Sequence, residues 1–292
     1  MPLSPSEMYP AGLSDVRVRT LTLRSGIRMR VTERGPATAP PIVMLHGWGA
    51  SLYMYRHALE MLPALGSRSI AVDLRGYGLS DKPLEPNSYS LKSYFADLDA
   101  LLDDLDAGPV TLVGQSMGGG LALRYALANP SRLSKLVLIN PTGLSHVPYI
   151  RLLGIAPTFA LDAIGPHLVR RWTISWILKR LAYGDPSLVT ERDVDEYWAP
   201  TQLAGFVHAA RAAVTEFDWS VVSDAEASQL RVEALVILGE RDRLLYTSRE
   251  QALRLPNARV ERVPGGHCAH EEHPNVVYPM IAEFAGARVQ PR

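Results

Sequence analysis

One cysteine in 292 residues, Cys268, has no second cysteine to pair with, so no internal disulfide framework holds this chain. Net charge is missing too. Thirty basic and 30 acidic residues give +0, which removes the overall field that would draw nucleic acid or an acidic partner. No apolar run reaches the roughly 18 residues of a membrane span, so no stable membrane insertion is expected. Met1-Pro2-Leu3-Ser4-Pro5-Ser6-Glu7 offers neither a basic n-region nor an apolar core, and a secretory signal is not expected either. A cytoplasmic location is the resulting expectation. Internal repeats and low-complexity tracts are also lacking. What is left is an ordinary globular composition, 47% hydrophobic and 21% charged, ample for one large domain with an insertion.

Short apolar runs punctuate the chain. Val16 to Leu23 and Ile27 to Thr32, split by Arg24-Ser25-Gly26, read as a hairpin of alternating strands. Pro41 to Leu45, Ser69 to Val72, Val110 to Val113, Leu136 to Ile139 and Leu235 to Leu238 are continuous, as strands buried on both faces must be. Val260 to Val263 closes the series. Between them lie helical spacings. One is Leu91, Tyr94, Phe95, Leu98, Leu101, Leu102 and Leu105, which form a stripe with acidic residues opposite. Alternating strands and helices predict an α/β fold, a mainly parallel eight-stranded sheet flanked by helices, with the hairpin as its antiparallel edge. The alternation lapses between about Thr142 and Ala227, a stretch of helical patches broken by Pro148, Pro157, Pro166, Pro186 and Pro200. The expected division is therefore a core of residues 1–142 and 228–292 with a helical cap, or lid, at 143–227.

Gly114-Gln115-Ser116-Met117-Gly118 stands where a buried strand gives way to a helix that reads as Leu121 to Asn129. A serine there sits in a strained turn, its hydroxyl held above the sheet edge at a helix N-terminus that favours developing negative charge. Ser116 is thus the candidate nucleophile. Its base is sought in Val263-Pro264-Gly265-Gly266-His267, a loop just past the last strand. His270 and His273 are rivals, but they run into Glu271, Glu272 and Pro274, which read as the start of a surface helix. The imidazole needs a carboxylate to hold its tautomer. Asp242, in Gly239-Glu240-Arg241-Asp242, lies on the loop after Leu235 to Leu238, with Glu240 the weaker candidate. The loop at Asn140-Pro141 offers no acid. Oxyanion donors are expected from the Met117 backbone N–H and from His46-Gly47-Trp48-Gly49, with Trp48 N–H preferred and Gly49 second. His46 reads as a brace for that loop.

These residues together resemble the ordered motif series of the α/β-hydrolase superfamily. The series comprises His46-Gly47-Trp48-Gly49, Asp73-Leu74-Arg75-Gly76-Tyr77-Gly78-Leu79-Ser80, Gly114 to Gly119, Gly239 to Asp242 and Gly266-His267. The resemblance implies that Asp73 and Arg75 are structural, pinning the loop beneath the site. His46-Gly47-Trp48 resembles the epoxide hydrolases, but these and the haloalkane dehalogenases use an aspartate where this chain has Ser116. Ser116-Met117-Gly118-Gly119 also resembles meta-cleavage C–C hydrolases and cofactor-free perhydrolases. The C–C hydrolases place a tryptophan after the catalytic histidine, where this chain has Cys268.

The expected activity is a serine hydrolase cleaving a small to medium, largely apolar carboxylic ester through an acyl-enzyme. Ser116, His267 and Asp242 would act together, and no metal or organic cofactor is implied. A C–C hydrolase, a perhydrolase or a non-enzymatic ligand receptor of the same fold are the alternatives. Other features read more plainly. Cys268, one residue from the base, has no evident activating environment. Trp172, Trp176, Trp198 and Trp219 read mainly as core, some of them facing substrate. Leu152 to Leu168 reads as ordinary cap packing rather than a membrane-resting lid, and Arg170, Arg171, Lys179 and Arg180 as a solvated face.

Overall fold

The eight apolar runs all become strands of one sheet. They are β1 (Arg17–Thr22), β2 (Arg28–Arg34), β3 (Pro41–Leu45), β4 (Arg68–Val72), β5 (Val110–Gln115), β6 (Leu133–Ile139), β7 (Ala234–Gly239) and β8 (Ala258–Val263). A computed structural model describes residues 1–106, 108–147 and 169–286. The sheet order is β1-β2-β4-β3-β5-β6-β7-β8. β1 and β2 form an antiparallel hairpin and β2 runs antiparallel to β4, while β4 through β8 are parallel neighbours. The hairpin is therefore the antiparallel edge that its alternating pattern predicts.

Successive side chains of the central strands point to opposite faces, and each face is buried. Val43, Leu45, Ile70, Val72, Leu112, Leu136, Leu138 and Val236 join one apolar cluster. Ile42, Met44, Ala71, Val113, Val137, Ile139, Leu235 and Ile237 join the other. Helices α1 (Arg56–Ala64) and α7 (Pro274–Phe284) cover the second face; α2 (Leu91–Leu105) and α3 (Met117–Ala128) cover the first. α2 spans the whole Leu91-to-Leu105 stripe. Ser90 caps it by accepting from Ser93 N, and it ends where Asp106 turns left-handed. α3 begins four residues before the expected Leu121, because Gly118, Gly119 and Gly120 weaken the helical signal.

Between β6 and β7 the described residues contain helices and no strand: α4 (Arg171–Ile177), α5 (Glu191–Trp198) and α6 (Phe206–Glu216). A π-helical turn, Leu178–Ala182, extends α4. Thr190 and Asp193 form a capping box at the start of α5. Trp172 and Trp176 on α4 are not core. They are 70% and 52% exposed, and with Trp198 and the basic residues Arg170, Arg171, Lys179 and Arg180 they line a surface groove of about 740 Å³. Leu152 to Leu168, and the breaks at Pro148, Pro157 and Pro166, lie outside the described residues. Among the described residues no helix is long and apolar enough to cross a membrane.

One acidic residue of α2 departs from the expected solvent face. Asp97 is 1% exposed and holds Arg75 in a fork, with Nε at 2.5 Å and Nη2 at 2.6 Å. Ser25 Oγ donates to the same carboxylate at 2.8 Å, and Arg75 Nη1 donates to Ser88 O at 2.8 Å. The partner cation explains the buried charge, and the pair ties the Asp73–Ser80 loop to α2. Asp97→Ala should destabilise the fold by about 3–5 kcal/mol in urea unfolding, since it strands a buried guanidinium. The double change Asp97→Leu with Arg75→Met should recover most of that loss.

Candidate active site

Ser116 joins β5 to α3 with φ +52° and ψ −118°, backbone that a residue with a side chain rarely adopts. Neighbouring backbone holds it there. Ser116 N donates to Ile139 O at 3.1 Å, and its carbonyl accepts from Gly120 N and Thr142 N, both at 3.0 Å. The turn brings α3 hard against β3. A β-carbon on Gly118 would overlap the carbonyl oxygen of Leu45 and press on that of His46, so only glycine fits. Met117 opens α3, and its N–H has no acceptor within the helix. Gly47 lies beside the serine, since a β-carbon there would stand 3.1 Å from Ser116 Cβ. The His46-Gly47-Trp48-Gly49 turn is thereby set next to the elbow. The Trp48 indole Nε1 reaches out to donate to Ala210 O of α6 at 2.8 Å.

Asp242 and His267, 25 residues apart, meet with Oδ2 and Nδ1 separated by 2.8 Å. The other oxygen, Oδ1, accepts from Leu244 N at 2.8 Å and Leu245 N at 2.9 Å, so the carboxylate is fixed by its own loop. A carboxylate at Asp242 makes Nδ1 the protonated nitrogen and leaves the Nε2 lone pair available. The two loops are joined along their backbones as well: Glu240 N donates to Val263 O at 3.0 Å and Arg241 N to Gly265 O at 2.8 Å. Glu240 itself is exposed.

His46 and one of the rivals, His270, are both buried away from that pair. His46 is fully buried; its Nε2 accepts from Leu74 N at 3.0 Å while Nδ1 donates to Gly47 O at 2.8 Å. Burial lowers its pKa, and it braces the loop as a neutral ring. His270 packs against the Tyr55 ring with centroids 5.5 Å apart. Burial, with Arg56 nearby, pushes its pKa down to about 3. Cys268 is also buried, and burial together with Glu271 raises its thiol pKa well above the usual value. A protonated, enclosed thiol is no nucleophile. Asp73 accepts from Leu52 N and Leu79 N, both at 2.8 Å, so it holds two loops below the site.

Two residues at the site carry roles that the motif reading does not assign. Gln115 Nε2 donates to His267 O at 3.0 Å, so the residue before the serine supports the histidine backbone. Asn140, buried at the end of β6 with φ +41°, does more. Its Nδ2 donates to Gly266 O at 3.0 Å and to His267 O at 3.1 Å, and its Oδ1 accepts from Gly239 N at 2.8 Å. One amide thus joins the end of β6 to the loops bearing Asp242 and His267. The available signal was an asparagine at a strand end, a residue that tolerates left-handed backbone.

The same architecture recurs in known proteins. A family model described as the alpha/beta hydrolase fold matches residues 40–274. A Bacillus subtilis (strain 168) protein, provisionally named 2-succinyl-6-hydroxy-2,4-cyclohexadiene-1-carboxylate synthase, is 30% identical over 269 residues, covering 90% of this chain and 97% of its own. Epoxide hydrolase 2 of Siraitia grosvenorii is 37% identical over 255 residues, 76% of this chain and 80% of its own. The structure of an esterase from Exiguobacterium antarcticum superimposes with a TM-score of 0.75 at 20% identity, over 92% of this chain and 100% of that one. The elbow, the sheet order and the aspartate–histidine pair agree with that match, and the chain belongs to the alpha/beta hydrolase fold family.

Proposed function

We propose that this chain is a serine hydrolase cleaving a small to medium, largely apolar carboxylic ester through an acyl-enzyme. The observation that carries the reading is the 2.8 Å pair of Asp242 and His267, set on loops at the sheet end where Ser116 holds its strained turn. Ser116 Oγ attacks the ester carbonyl carbon as His267 Nε2 takes its proton. Asp242 orients the ring and stabilises the imidazolium that forms. The Met117 and Trp48 N–H groups receive the oxyanion at the start of α3, where the helix dipole favours negative charge. Collapse of the tetrahedral intermediate expels the alcohol, which leaves with the proton from His267. Water, deprotonated by the same ring, then releases the acid and restores the serine.

Residues 143–227 form the cap in this reading. Their described helices approach the site loops: Ala210 accepts from the Trp48 indole, and the Phe206 and Tyr77 rings meet edge to face at 6.3 Å. A serine at the elbow separates this chain from the epoxide-opening chemistry in the name of one relative, because the resemblance to epoxide hydrolases calls for an aspartate there.

Ser116→Ala should lower p-nitrophenyl ester turnover by about four orders of magnitude or more, with thermal unfolding as in the wild type. Full activity in that variant, or turnover of an epoxide or dienoic ketone in place of every ester tested, would overturn the proposal. Asn140→Asp tests the amide that joins the loops. It puts a carboxylate against the Gly266 and His267 carbonyls, and displacing the ring by about 1 Å should reduce kcat by roughly 10²-fold.

A further inference from the structure

Glu271 and Glu272 depart from the sequence reading, which places them on a surface helix. They are 5% and 7% exposed. Glu271 pairs with Arg56 and accepts from Tyr197 Oη at 2.6 Å. Arg56 also pairs with Asp193 of α5 at 2.9 Å, and Asp193 accepts from Tyr53 Oη at 2.8 Å. That network has its cation and its hydroxyls, which accounts for the burial of Glu271.

Among the described residues no cation pairs with Glu272; what it binds is backbone. Its Oε1 accepts from Gly266 N at 2.6 Å, the residue just before His267. Its Oε2 accepts from Gly184 N at 2.8 Å and Asp185 N at 3.0 Å, in the segment between α4 and α5. The same segment touches the histidine loop twice more. Cys268 N donates to Ala182 O at 3.0 Å, and a β-carbon on Gly266 would stand 2.5 Å from Gly184 N. Residues 266–268 are thus held by Gln115 and Asn140, and by Ala182–Asp185 both directly and through Glu272.

We propose that Glu272 is a positioning residue. It locks the backbone that carries His267 to residues 184–185, so the placement of the imidazole depends on the segment inserted between β6 and β7. This rests on His267 acting as the base. The physical requirement is a side chain with two oxygens that both accept, because all three donors are backbone N–H groups that each need a partner. Glutamine keeps the size but has one acceptor oxygen, so it serves either Gly266 or the 184–185 pair and turns an N–H toward the other. Glu271 supplies the contrast, since it is adjacent and buried yet bonds neither Gly266 N nor Gly184 N.

The test compares Glu272→Gln and Glu271→Gln in the full chain. In the substrate-free protein, the downfield proton resonance of His267 Nδ1–H, assigned by its loss in His267→Ala, reports the imidazole–Asp242 bond. Glu272→Gln should broaden or remove that resonance and lower kcat for a p-nitrophenyl ester by about 10- to 100-fold, with KM within about twofold. Glu271→Gln should lower Tm and keep both the resonance and kcat near wild type. If Glu272→Gln does not fold, Glu272→Asp, one methylene shorter and unable to reach both segments, is read the same way. A wild-type resonance and kcat in the Glu272 variants would overturn the proposal, as would losses no larger than their unfolded fraction. The resonance needs no substrate. A wild-type protein without ester turnover, whose resonance still depends on Glu272, sinks the esterase reading and supports the positioning role.

Discussion

Where β5 turns into α3, the helix passes so close to the end of β3 that Gly118 lies against the carbonyls of Leu45 and His46. The crossing is possible because Ser116 takes a left-handed backbone, and that strain is held by bonds from Ile139 and Thr142 at the end of β6. Three parallel strands therefore have to end at matching heights before the turn can exist. The same matching brings Gly47 beside the serine and Asn140 within reach of Gly239 and Gly266. The surroundings of Ser116 are thus a consequence of strand register rather than of a set of independent contacts.

Side-chain oxygens do for the loops around this turn what the ladder does for the strands. Asp73 accepts from Leu52 and Leu79, Asp242 from Leu244 and Leu245, and Asn140 from Gly239. Each satisfies backbone donors that irregular chain would otherwise bury unpaired. A loop held this way is stiff without being helix or strand, which suits groups that must keep their mutual geometry. His46 belongs to the same scheme, with both ring nitrogens committed to backbone.

Most of the sheet could be read directly from the chain. Strands such as Leu136 to Ile139 are buried on both faces, so they are apolar without interruption. The elbow was legible for a related reason: the close crossing forces glycine at fixed spacing around Ser116. Asp97, Glu271 and Glu272 were not legible, because a carboxylate's burial is decided by its partner. Those partners are Arg75, 22 residues away, Arg56, 215 away, and Gly184, 88 away. Trp172 and Trp176 misled in the other direction, since aromatic residues at helical spacing mark a face without saying what covers it. The role of Asn140 is hidden because an asparagine at a strand end carries no sign of Gly239, 99 residues away, or Gly266, 126 away, which its amide joins.

β6 and β7 are adjacent in the sheet, Leu136 beside Ala234, although the chain between Ile139 and Ala234 makes the long excursion that carries α4, α5 and α6. The strands are parallel, so the excursion leaves at Ile139 and returns at Ala234, three residues back on the neighbouring strand and roughly 11 Å away at about 3.3 Å per residue and 4.8 Å between strands. To the sheet it is a closed loop, and the entropy of closing a loop rises only logarithmically, by about 0.6 kcal/mol for each doubling of its length. The entropy of closure is therefore nearly indifferent to how much chain is looped out at this point. Its length is thus weakly constrained, whereas the residues that reach back from it, Ala182 to Asp185 on the His267 loop and Phe206 against Tyr77, are held in place by contact.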